Sequence, residues 1–118
     1  MKQIYIFGDS ILKGGTYSEE AGRHKLLPGR FAALSDMGYE VKNCSVMGAT
    51  VEEGISQLRR RLAEPASDTT VLLEYGGNDC DYRWADISAD PEAHHLPKTP
   101  LDAFTRRDGE LVSFAREK

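Results

Sequence analysis

No apolar run in the sequence approaches the roughly 20 residues that a membrane-spanning helix requires. Ile4 to Phe7 is the longest uninterrupted stretch near the start, and only Lys2 precedes it as charge, which does not make a signal peptide. Cysteine is scarce. Cys44 and Cys80 stand in no two-residue spacing, so free thiols in a cytoplasmic protein fit better than a disulfide framework or a zinc site. Positive charge is in deficit: 19 acidic side chains face 15 basic ones, for a formal charge of −4. The deficit is uneven, +2 over Met1 to Leu62 and −6 over Ala63 to Lys118, and an acidic second half argues against nucleic acid. Arg59-Arg60-Arg61, the one basic run, reads as a solvated helix face. Neither G-x-G-x-x-G nor G-x-x-x-x-G-K-[ST] occurs in Gly8 to Gly15, where Lys13 precedes Gly14, so a phosphate loop is unsupported. No cofactor is implied, and Asp79, Asp81, His94 and His95 suggest a metal only by composition. Repeats and low-complexity tracts are absent as well.

What remains is one domain's worth of chain, 118 residues with 40% hydrophobic content, enough for a real core. Ile4-Tyr5-Ile6-Phe7, ended by Gly8, suits a fully buried strand, since it does not alternate. A polar, glycine-containing loop through Gly22 follows. Pro28 then opens a first helix carrying Leu27, Phe31 and Leu34, with Gly38 as a left-handed stop. A second strand fits Glu40 to Ser45. Thr50 and Glu53 make a capping box for a second helix, whose apolar stripe is Val51, Ile55, Leu58 and Leu62. Thr70 to Tyr75 reads as a third strand stopped by Gly76-Gly77, and Thr99-Pro100 opens a last helix with Leu101, Phe104, Leu111 and Ala115 on one face. Asn78 to Lys98 has no clear period and is either a lid or an irregular excursion. Strands alternating with helices predict an α/β fold, a parallel sheet covered by helices.

Ligands of such sheets bind outside the carboxyl ends of the strands. Three segments converge there: Gly8-Asp9-Ser10, Asn43 to Gly48, and Gly76-Gly77-Asn78-Asp79. Glycine lets backbone N–H groups face an anion, Ser10 offers a hydroxyl and Asn78 an amide donor, which together make an acyl-transfer layout. Each segment alone is an ordinary turn.

With Gly8-Asp9-Ser10, Asn43 followed by Gly48, and Gly77-Asn78-Asp79 in this order, the sequence resembles the SGNH (GDSL) hydrolases. The resemblance implies a three-layer, flavodoxin-like parallel sheet over residues 1–118, a single domain cut to about three strands in the order 2-1-3. It implies Ser10 as nucleophile, with the N–H groups of Ser10 and Gly48 and the side chain of Asn78 as oxyanion donors. The substrate would be a small acyl ester, with no membrane partner and no cofactor. Asp9 and Asp79 are expected to brace turns.

The family's base comes from an Asp-x-x-His motif, and the sequence has none: the residues three before His24, His94 and His95 are Ala21, Pro91 and Glu92. Glu92 and His95 mimic only the spacing. No apolar run for a fourth strand follows the last helix, so a truncated domain with little or no turnover is expected, and His94 or His95 as a substitute base is the lesser reading. The third strand's outer edge is expected to be bare and to pair in a homo-oligomer. Two alternatives stand beside hydrolysis, a non-catalytic module binding a small ligand and a remnant that needs a partner fragment. Cys44 or Cys80 as nucleophile is weak.

Overall fold

The computed structural model describes residues 2–26, 29, 31–62 and 68–117. In chain order the elements are β1 (Lys2–Gly8), α1 (Ser10–Lys13), β2 (Gly15–Ser18), β3 (Arg23–Leu26), α2 (Ala32–Asp36), β4 (Tyr39–Asn43), α3 (Val51–Arg61), β5 (Thr69–Glu74), α4 (Trp84–Ala89) and α5 (Leu101–Glu117). Three strands form a parallel sheet in the order β4-β1-β5, the expected 2-1-3, and β2 and β3 form a separate antiparallel hairpin.

β1 sits in the centre, and Tyr5, Ile6, Phe7 and Gly8 are all buried, so both of its faces are covered. That is why its sequence is continuously apolar. The crossover from β1 to β4 carries α2 and the return from β4 to β5 carries α3. Right-handed connections in opposite directions place these helices on opposite faces of the sheet. On the α3 face, Tyr5 and Phe7 pack with Cys44, Val51, Ile55, Leu58, Leu62 and Leu111. The predicted stripe of α3 is thus buried throughout. Its basic run is exposed as expected, although Arg59 lies 4.1 Å from the centre of the Phe114 ring and so helps fasten α5. Arg107 of α5 forms ion pairs with Glu52 of α3 at 2.6 Å and with Glu110.

Several expectations are corrected. The capping box does not form: Thr50 makes no side-chain bond at the start of α3, where Val51 N–H instead donates to the carboxylate of Asp79, 3.1 Å from both oxygens. The supposed loop before Gly22 contains α1 and strand β2. The first predicted helix shrinks to the five residues of α2, and Leu27 and Pro28 lie outside the described residues. Gly38, at φ +90°, does stop it. The excursion after β5 contains α4. Leu101, assigned to the apolar face of the last helix, is 79% exposed, while Leu111 is fully buried. Among the described residues no helix is long and apolar enough to cross a membrane.

Candidate active site

In the order β4-β1-β5 the chain leaves β1 to one side and returns to the other, so the crevice lies at the carboxyl ends of β1 and its two neighbours. Ser10 is the first residue of α1, directly after Asp9, whose carboxylate caps the helix by accepting the Ile11 N–H at 2.9 Å. Ser10 is half-buried and Asp9 is 1% exposed. After β4 the backbone stays bonded to β1, with Cys44 N–H donating to Ile6 O at 2.7 Å and Val46 N–H to Gly8 O at 3.0 Å. Asn43 ties the same segment to α1: its Nδ2 donates to Leu12 O at 3.0 Å and its Oδ1 accepts Ser45 N–H at 3.1 Å. Lys13 Nζ donates to Ser45 O at 3.2 Å. Gly48 is exposed at φ +74°, a conformation that glycine adopts without a Cβ clash. After β5, Asn78 Nδ2 donates to Ala49 O at 3.0 Å, a bond that uses one of its two amide hydrogens.

These contacts link the three sequence-predicted residues through their neighbours. A Cβ at Gly77 would lie 3.7 Å from Asp9 Oδ2, and Asp9 adjoins Ser10. Asn78 adjoins Gly77 and holds Ala49, which adjoins Gly48. Asp9 braces its own turn, as expected from the sequence, whereas the carboxylate of Asp79 accepts the Val51 N–H and braces the start of α3 instead; both residues are buried.

Sequence reasoning missed Glu74, the last residue of β5, which gave only the faint signal of a charge closing an apolar run. Its Oε1 accepts the Asp9 N–H at 3.4 Å. Burial pushes its carboxyl up to about 7, the side chain of Asp9 and its negative charge act in the same direction, and the bond from the Asp9 N–H acts against them. Burial raises the Tyr75 hydroxyl too, with the charges of Glu74 and Asp9 adding.

The excursion makes its own cavity of about 390 Å³, lined by Tyr82, Arg83, His94, His95, Leu96 and Lys98 among others. Trp84 does not line it and is 64% exposed. A more apolar cavity of about 240 Å³ lies between Gly76, Cys80 and Phe104, and one of about 460 Å³ between α2 and β4. Ser10, Gly48 and Asn78 line none of these three. His95 shares a hydrogen bond with Asp90 O at 2.6 Å.

Three parallel strands in this order with helices packed against them make an α/β fold. No model of a known protein family matches the sequence, and no curated protein matches it. Among solved structures, the chain is similar to the lipase/acylhydrolase from Enterococcus faecalis, with a TM-score of 0.61 at 20% sequence identity over 96% of this chain and 51% of that one. It is also similar to AlinE4, an SGNH-hydrolase family esterase, with a TM-score of 0.49 at 26% identity over 67% of this chain and 42% of that one. The chain therefore spans about half the length of the first and less than half of the second. A common fold does not carry a common activity, which has to be argued from the site.

Proposed function

We propose that the chain serves serine ester hydrolysis on a small acyl ester, with Ser10 as nucleophile and the N–H groups of Ser10 and Gly48 and the Asn78 amide as donors to the oxyanion. The observation that carries this reading is the linkage of Ser10, Gly48 and Asn78 through Asp9, Gly77 and Ala49 at one sheet edge. A hydroxyl at a helix N-terminus beside backbone donors suits attack on a carbonyl, because those donors meet the charge that develops on oxygen. The attack also needs a base for the Ser10 proton, and the sequence contains no Asp-x-x-His. Turnover by the 118 residues alone is accordingly low, limited to what oxyanion donors sustain without a base, about 10³ to 10⁴ over water in triad knockouts. Its setting is cytoplasmic, in keeping with two free thiols.

The test is covalent labelling of the purified chain with a fluorophosphonate, followed by peptide mapping. Preferential labelling of Ser10, about tenfold over the other serines and reduced in Asn78→Ala, is the expected result. Label spread evenly over the serines, or p-nitrophenyl acetate turnover that survives Ser10→Ala, overturns the assignment. The alternative, a non-catalytic module, would hold a small anion or nucleotide in the same strand-end crevice, and evenly spread label would favour it. Separately, the outer side of β5 has no strand partner among the described residues, and a homo-oligomer through that edge is proposed. A monomeric mass by light scattering at every dilution would remove it.

A further inference from the structure

The acyl-transfer reading leaves Glu74 without a role, yet its carboxyl lies at the turn that carries Ser10. Glu74 stands opposite Gly8 in the β1–β5 register. A Cβ at Gly8 would come within 3.1 Å of Glu74 Oε1, 3.1 Å of Glu74 O and 3.0 Å of Leu12 Cδ1, so the missing side chain leaves the room that the Glu74 carboxyl occupies. There Oε1 accepts the Asp9 N–H at 3.4 Å, which favours the charged carboxylate, whereas the side chain of Asp9 bears on the Glu74 carboxyl in the opposite sense, toward the protonated form. Asp9 is 1% exposed and already commits Oδ1 to the cap of α1. Two carboxyl groups that bear on each other repel when both are ionised, and a proton shared by the pair removes that repulsion.

The surrounding charges do not replace that proton. From the β1–α1 junction the group facing Glu74 is Asp9, and next along the chain is the Tyr75 hydroxyl, itself raised by both carboxylates. Lys13 on α1 directs its ammonium to Ser45 O. Glu53 on α3 bears on Tyr75 and adds only negative charge. None of the groups acting on Glu74 is a cation.

We propose that Glu74 is a positioning residue for Ser10: a proton held between its carboxyl and that of Asp9 ties the end of β5 to the β1–α1 turn, and loss of that proton loosens the turn. The proposal rests on the acyl-transfer reading only in naming Ser10 as the group whose position matters. The Glu74 carboxyl, ordinarily near 4.5, is raised to about 7 in the folded chain. The folded state therefore holds the proton more tightly than the unfolded one. The tie is complete below about pH 4.5 and is lost as pH rises through about 7.

The experiment is an NMR titration of the 118-residue chain from about pH 3 to about pH 9, following the Glu74 side-chain carboxyl carbon and the Ser10 amide. The carboxyl is expected to titrate near 7 and the Ser10 amide to move with the same midpoint. Asp9→Asn keeps a good helix cap and gives Glu74 an amide donor that favours its charged form, so its midpoint falls toward 4.5. Glu74→Gln imitates the protonated carboxyl at every pH and flattens the Ser10 response, a readout that a merely structural contact would leave unchanged. A Glu74 midpoint near 4.5 in the unmodified chain, or a Ser10 amide indifferent to it, overturns the proposal. If Ser10 follows Glu74 but takes no fluorophosphonate, the pair stands and the hydrolase reading falls.

Discussion

The turn directly after β5 and the excursion that follows it each hold an aspartate bonded to backbone, but the first carboxylate is dry and the second wet. In the turn, Asp79 is 2% exposed and its carboxylate takes the Val51 N–H, while Cys80 N–H donates to Gly76 O at 3.0 Å. In the excursion, Asp81 does the same chemistry in water. Its carboxylate accepts the Tyr82 N–H and the Trp84 Nε1–H, each at 2.9 Å, and those bonds, the backbone one first, hold its carboxyl below the usual range. The excursion is closed at its neck by Lys98 N–H to Asp81 O at 2.8 Å and Thr99 N–H to Asp79 O at 2.9 Å. Beyond the neck α4 buries no residue. The difference teaches that a carboxylate bonded to backbone organises the fold only where water cannot replace it.

Mutations sharpen that contrast, and the largest effect belongs to the core under the turn. Leu58 is fully buried against β1, so Leu58→Ala removes both transfer energy and packing, and a loss of about 2 to 5 kcal/mol in urea unfolding is expected. Next comes Asp79→Ala, which strands the buried Val51 N–H and removes the cap of α3. About 1 to 3 kcal/mol is expected, with the early α3 amides losing hydrogen-exchange protection. Gly54→Ala follows. Its new Cβ would sit 2.5 Å from two ring carbons of Tyr75, a clash worth about 1 to 3 kcal/mol that is offset by about 1 kcal/mol of helix propensity. A more stable Gly54→Ala chain would show that the Tyr75 ring yields without strain, and the turn after β5 would then be less rigid than the contrast requires.

Legibility in the sequence followed the same division between dry and wet. The three parallel strands and the α3 stripe could be read because burial on two faces or on one helix face leaves a continuous or periodic apolar pattern. The β2–β3 hairpin could not: Tyr17 and Leu26 are exposed, and what pairs the strands is backbone bonding with an edge contact between Tyr17 and His24. Thr50 misled for another reason. A local capping rule sees three residues ahead, whereas the actual acceptor for Val51 is Asp79, on the far side of β5. The candidates Ser10, Gly48 and Asn78 stand in the sequence as small residues in segments that follow strands, whereas Glu74 does not stand out, since only the fold brings it against Asp9.

The smallest expected effect comes from the histidines of the excursion. His94 is exposed, and His95 lies beside it with one ring nitrogen committed to Asp90 O. Neither packs in the core, so His94→Ala with His95→Ala is expected to change stability by no more than about 0.5 kcal/mol. Turnover should be equally indifferent, because a base must come within hydrogen-bond reach of the Ser10 hydroxyl, while both histidines line a cavity that Ser10 does not. The measurement is residual p-nitrophenyl acetate hydrolysis by the double variant beside Ser10→Ala. A loss of about tenfold in the double variant with unchanged stability would bring the excursion over the rim as a working part of the site, and the line drawn between the dry turn and the wet excursion would have to move.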